Sequence, residues 1–141
     1  MASTPLGINT TTGKPYKVMI VDDSSTIRIT ERKILLSESF EVILEADGAM
    51  MALKKLKECS EKPDILMIDF EMPQMNGIDL LKRLRAQNYE GKVVVVTSYA
   101  NKATLMEFLK LKIDGYVAKP IDRQTLMNHL AKVLGRDDYC K

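Results

Sequence analysis

The chain has 141 residues, room for one domain and little more, and its 45% hydrophobic and 28% charged residues lie close to the globular average. Its 21 basic against 19 acidic side chains leave a formal net charge of +2, which argues against a nucleic-acid-binding protein. No apolar run reaches the roughly 18 residues of a membrane span, and the N-terminus lacks the charged start and apolar stretch of a signal peptide. A soluble cytoplasmic protein with no membrane insertion is expected.

Residues 1–16 are dominated by Ser, Thr, Gly, Pro and Asn, a composition that buries little, so a flexible leader is expected there. Gly7, Gly13 and Lys14 imitate a phosphate-binding loop, but the spacing is one residue too long and no strand precedes them.

From Lys17 the pattern alternates. KVMIVD (17–22) reads as a buried strand, followed by a helix capped by Ser24 or Ser25 and carrying Ile27, Ile34 and Leu35 on one side. FEVILEA (40–46) is the second strand, and Gly48 turns into a helix bearing Leu53 and Leu56 that Pro63 closes. DILMID (64–69) is the third strand. A loop marked by Pro and Gly leads to the helix GIDLLKRLRA, which Gly91 breaks, and KVVVVT (92–97) is the fourth strand. A helix over about 101–112, a brief strand YVAK (116–119) and a last helix from near Asp122 to Gly135 complete the chain. Residues 17–135 thus form the domain, with 136–141 as a short tail.

Five strands alternating with five helices predict an α/β fold with a parallel sheet, and strands apolar throughout need helices on both faces. In such sheets ligands bind beyond the carboxyl ends of the strands. At those ends stand Asp22 and Asp23, then Asp69, then Thr97 and Ser98, then Lys119 and Pro120. Taken singly, each has an ordinary explanation as a helix cap, a turn residue or a surface side chain. Taken together, they put three carboxylates, a hydroxyl and an ammonium on one sheet edge. Three carboxylates repel unless a cation neutralises them, and a hard oxygen site with few protein ligands suits Mg2+. The ammonium and hydroxyl beside it suit the oxygens of a phosphoryl group, with Asp69 as the nucleophile that carries it.

The strings VDDSSTIR (21–28), IDFEMPQMNG (68–77), VVTSYA (95–100) and YVAKP (116–120) resemble response-regulator receiver domains, in particular the stand-alone chemotaxis type, over about 17–134. The resemblance implies a flavodoxin-like strand order of 2-1-3-4-5. It implies that Asp69 accepts a phosphoryl group from the phosphohistidine of a chemotaxis-type histidine kinase. Asp23 would bind Mg2+ directly, Asp22 through water, and Asp69 and the backbone carbonyl of Glu71 would complete the protein ligands. Lys119 and Thr97 would hold phosphoryl oxygens, and the Lys119–Pro120 peptide would be cis. Thr97 and Tyr116 would form the switch that alters the surface of the last two helices and the strand between them. Glu71 and Tyr99 occupy positions that tune phosphate lifetime, and both depart from the commoner residues there. The implied partners are the kinase, a flagellar motor-switch protein or other protein target, and a phosphatase.

Two alternatives share parts of this site. A phosphorelay intermediate would pass phosphate to a histidine phosphotransfer protein with the same residues. A haloacid dehalogenase-type phosphatase would need a second Asp two residues after the nucleophile, where Glu71 stands. The chain is therefore expected not to be an enzyme beyond catalysing its own phosphorylation and dephosphorylation. His129, the only histidine, is expected to be a solvated helix residue, and Met72 and Met75 to pack in core and loop. Lys102, Lys110 and Lys112 read as a solvated helix face, and Cys59 and Cys140 as reduced thiols.

Overall fold

Strands of four to six residues, separated by helices of nine to thirteen, form a five-stranded sheet in a computed structural model that describes residues 4–72, 74–98 and 102–136. The strands are β1 (Lys17–Val21), β2 (Glu41–Ala46), β3 (Ile65–Asp69), β4 (Lys92–Thr97) and β5 (Gly115–Ala118). The helices are α1 (Ser25–Ser37), α2 (Ala49–Glu58), α3 (Gly77–Ala86), α4 (Lys102–Lys110) and α5 (Arg123–Val133). All pairings are parallel, in the order β2-β1-β3-β4-β5. The expected fold class and strand order both hold.

Side-chain alternation splits the core in two. Met19, Val21, Leu66, Ile68, Val93 and Val95 face α2 and α3, with Leu56, Leu80, Leu81, Leu84 and Phe108 over them. Val18, Ile20, Ile65, Met67, Val94 and Val96 face the other way, under Leu35 of α1 and Leu126, Met127 and Leu130 of α5. Helices on both faces explain why β3 is buried at every position and β1 and β4 at all but their first. The chain moves outward from β1 to β2 and then crosses back to β3. The gap above the ends of β1 and β3 is therefore the switch point of the topology.

Caps fix where helices begin. Ser24, Asn76 and Asp122 each accept a hydrogen bond from the backbone N–H three residues on, at the starts of α1, α3 and α5. Helix ends differ from expectation at two places. Helix α2 stops at Glu58, where Cys59 turns extended, five residues before Pro63. Helix α3 stops at Ala86, and Asn88 rather than Gly91 takes the left-handed conformation, with φ 61°.

The flexible leader is the main correction. Residues 4–16 fold back over the amino ends of the strands. Leu6 is fully buried among Leu35, Phe40 and Leu126, and Tyr16 lies 6.3 Å from Phe40, ring to ring. The backbone makes Gly7 N–H to Glu38 O, Tyr16 N–H to Gly7 O and Glu41 N–H to Tyr16 O bonds. A β-carbon on Gly7 would fall 2.3 Å from the Phe40 amide nitrogen, so only glycine permits this approach. At the other end Arg136 is also buried, its guanidinium donating to the Thr4 carbonyl at 3.0 Å, so the domain extends past 135. A polar composition hid one apolar anchor and the backbone bonds that follow it. Truncating that anchor, Leu6→Ala, is expected to cost about 2–4 kcal/mol in urea unfolding; an unchanged midpoint would mean the segment is not part of the cooperative unit.

Lys102, Lys110 and Lys112 are exposed as expected, but α4 ends at Lys110 and Lys112 lies beyond it in a left-handed turn, with φ 62°. His129 is half-buried rather than solvated, and burial, then Lys132, lowers its pKa. Met72 and Met75 pack against the core, whereas Met50, Met51 and Met106 are exposed. Among the described residues Cys59 is a free thiol. Tyr99, Cys140 and the tail beyond Arg136 lie outside the described residues.

Candidate functional site

Each strand delivers its last residue to the same edge because parallel strands all end on one side. Asp22 follows β1 directly, and its carboxylate is almost wholly buried. Its Oδ1 accepts from the Ser24 N–H at 2.9 Å, while its carbonyl accepts from Arg28 Nη1 at 2.6 Å. Arg28 is thus held over the end of β1, its Nε 3.6 Å from Glu45 of β2. Asp23, the next residue, points into solvent. Asp69 ends β3, also buried, and its Oδ1 accepts from the Glu71 N–H at 3.2 Å.

Asp22, Asp23 and Asp69 each present an oxygen within 4.8 Å of the others. Lys119, just beyond β5, reaches across to both buried acids, with Nζ 3.1 Å from Asp22 Oδ2 and 3.2 Å from Asp69 Oδ1. The lysine is carried there by the N–H of its own residue donating to the Thr97 carbonyl at 2.8 Å, and the following Lys119–Pro120 peptide is cis. Thr97 ends β4 and is fully buried. Alternation places it with Val93 and Val95, on the same side of the sheet as Tyr116. Tyr116 is partly buried and meets Phe108 edge to face, with ring centroids 6.2 Å apart, and Phe108 meets Phe70 in the same way at 5.6 Å.

Glycine makes one contact at the site possible. A β-carbon on Gly77 would fall 2.9 Å from the Asp69 carbonyl oxygen, and the Gly77 N–H donates to the Phe70 carbonyl at 3.0 Å. The start of α3 can therefore press against the backbone of Asp69.

The electrostatics follow from burial and crowding. Desolvation, then the Asp22 carboxylate, push the Asp69 carboxyl up to about 6, against the opposing pull of Lys119. Burial alone would lower the Lys119 ammonium, but its contacts with Asp22 and Asp69 outweigh burial and hold it above its usual value. One ammonium thus balances two buried carboxylates, and Asp23 adds a third acid at the rim. A divalent cation would relieve that surplus. Three carboxylate oxygens in a small cluster open to water at Asp23 are the hard, incomplete donor set that Mg2+ accepts.

The sequence pattern brought Asp22, Asp23, Asp69, Thr97 and Lys119 to one edge, and they are there. Three further residues were missed. Arg28 has no role in the sequence pattern and Ser98 only a place at the strand end, yet each bonds to the loops around the acids. Glu31 is 1% exposed on the inner face of α1, and its Oε2 has no hydrogen-bond partner. Its position is legible, since it falls four residues after Ile27 and four before Leu35, inside the apolar stripe. Burial, then Asp22, push its carboxyl up to about 8, with Asp69 and Glu45 adding to Asp22 and Lys119 opposing.

Residues 18–131 match the response regulator receiver domain family. The chain is 36% identical over 124 residues to chemotaxis protein CheY1 of Helicobacter pylori, covering 86% of this chain and 99% of that protein. It is 32% identical over 122 residues to chemotaxis protein CheY of Treponema pallidum, covering 86% of this chain and 85% of that one. Among solved structures, the CheX-CheY-BeF3-Mg2+ complex of Borrelia burgdorferi superposes with a TM-score of 0.88 at 30% identity, over 93% of this chain and 98% of the matched one. On its sequence, its strand order and the placement of its acids, the chain belongs to the response regulator receiver domains and is CheY-like.

Proposed function

We propose that this protein is a phosphorylation switch of bacterial chemotaxis, charged at Asp69 by a histidine kinase and read by a protein target at the flagellar motor switch. The observation that carries the chemistry is Lys119 bridging Asp22 and Asp69 above the ends of β1 and β3. The chemotaxis assignment rests on the names of the curated relatives.

Asp69 attacks the phosphorus of the donor's phosphohistidine in line. The O–P bond forms as the P–N bond breaks, and the departing imidazole keeps the bonding electron pair and takes a proton. Asp22, Asp23, Asp69 and the backbone carbonyl of Glu71 would hold Mg2+, which when bound supplies positive charge to the phosphoryl oxygens. Lys119 exchanges its carboxylate partners for phosphoryl oxygen, and Thr97 donates its hydroxyl to another. Little covalent work falls to the protein; it positions and neutralises. Tyr116, already seated against Phe108 beside the end of β4, is the side chain placed to respond when Thr97 moves. Glu71 and Tyr99 would set how long the acyl phosphate lasts. On this reading the chain catalyses only its own phosphorylation and dephosphorylation, in the cytoplasm. A CheX-like protein is a candidate partner, because the Borrelia relative was solved in complex with CheX.

Incubation with Mg2+ and a small phosphodonor should add one phosphoryl mass to the intact protein, and Asp69→Asn should abolish it. A gain that persists in the variant, or one that never occurs in the wild type, would overturn the assignment.

A further inference from the structure

Glu71 and Ser98 lie on two different loops beside the acidic pocket, 27 positions apart. The Ser98 hydroxyl donates to Glu71 Oε1 at 2.5 Å. Glu71 is also tied inward, since its own N–H donates to Asp69 Oδ1. Ser98 directly follows Thr97, the last residue of β4. A single side-chain bond therefore joins the loop after the phosphoacceptor to the strand end that carries the switch hydroxyl. Both partners are exposed, so the bond lies at the solvent edge of the site.

We infer that the Ser98–Glu71 hydrogen bond is a resting-state latch, which holds the end of β4 in its unphosphorylated position and keeps a carboxylate at the mouth of the site. The inference rests on the reading of Asp69 as phosphoacceptor. A phosphoryl group arriving on Asp69 brings negative charge close to Glu71, whose backbone is bonded to that same side chain. Like charges disfavour each other, and the repulsion works against the Glu71 side of the latch. Releasing Ser98 frees the residue next to Thr97, so the latch opposes the movement that Thr97 must make. Ser98 is thus a positioning residue: it acts through Glu71 and Thr97 and needs no contact with the phosphoryl group.

The latch stabilises only the resting form. Its loss should shift the population toward the charged form and tighten binding of any phosphoryl mimic by the worth of one exposed, charge-assisted bond. The probe is beryllofluoride with Mg2+, titrated into the full chain and read by fluorine NMR. Ser98→Ala is expected to bind it about two- to tenfold more tightly than the wild type. Ser98→Thr, which keeps the hydroxyl, should stay at the wild-type value. Glu71→Ala should also tighten binding, and adding Ser98→Ala to it should change nothing more, because the two act through one bond. Equal affinity in Ser98→Ala and wild type would overturn the latch, as would weaker binding, which would make Ser98 a donor to the adduct. Additive effects of the two substitutions would overturn it too. A wild type that binds no beryllofluoride would instead bring down the phosphoacceptor reading itself.

Discussion

A Glu31→Gln chain is expected to melt on the order of 10 °C above the wild type near pH 9, and level with it near pH 4.5. Glu31 sits on the inner face of α1, 1% exposed, with one oxygen unpartnered, and its carboxyl is pushed up from 4.5 to about 8. The folded chain therefore binds a proton that the unfolded chain has released at neutral pH. Whatever stability the carboxyl supports is fully present below about pH 4.5 and drains away as the pH rises through about 8. Three to four pH units of difference correspond to about 4–5 kcal/mol once the group is forced to ionise inside the fold. Glutamine keeps the size and a similar hydrogen-bonding deficit but never ionises, so the two melting curves converge at low pH and separate at high pH. Glu31→Leu should exceed the wild type at every pH, since it also removes the unpartnered oxygen. A Glu31→Gln difference independent of pH would show that Glu31 is solvated or paired in the folded protein.

Lys119→Met is expected to lose about 2 kcal/mol of stability near pH 7.5 and to be phosphorylated about a hundredfold more slowly. Nζ lies 3.1 Å from Asp22 and 3.2 Å from Asp69, and both carboxylates are buried. Methionine approximates the stem of the side chain and deletes the charge, leaving two acids to repel each other. The stability loss falls short of that for a fully interior pair because the neighbouring Asp23 opens the cluster to water. The pH dependence has a definite sign. Asp69, already held at about 6, moves higher without its counter-ion, so protonation relieves the variant as the pH falls and the deficit shrinks toward pH 5. Millimolar Mg2+ should restore most of the lost stability at pH 7.5, since a cation among the carboxylates does the neutralising that Lys119 did. It should not restore the rate, because no ammonium then meets the phosphoryl group. Urea unfolding with and without Mg2+, beside single-turnover phosphorylation, measures both. A variant as stable as the wild type in the absence of metal would mean that Lys119 and the two acids are not mutually dependent.

Much of the fold was legible because its signals are local. KVMIV, ILMID and KVVVVT read as interior strands, and Ser24 and Asp122 announce the helices that follow them, whereas the Asn76 cap of α3 emerged only in the structure. The leader was misread for the opposite reason. Its composition is polar, and its order depends on Leu6 finding Phe40 and Leu35, contacts that no local pattern encodes. The same holds for Arg136 and the carbonyl of Thr4, which are brought together from opposite ends of the chain.

The site divides along the same line. Sequence alone determined which side chains arrive at the sheet edge, because a parallel strand carries its last residue to a fixed end, and Asp22, Asp69, Thr97 and Lys119 are strand-end residues. Only the tertiary structure decided how they interact: that Lys119 bridges two acids, that Asp69 is held near 6, that Ser98 reaches Glu71, and that Glu31 is buried beside them with one oxygen unpartnered. Position along an element is a one-dimensional property, fixed by periodicity. Charge balance and burial depend on which elements pack side by side, and here they were settled when β1, β3, β4 and β5 were laid edge to edge.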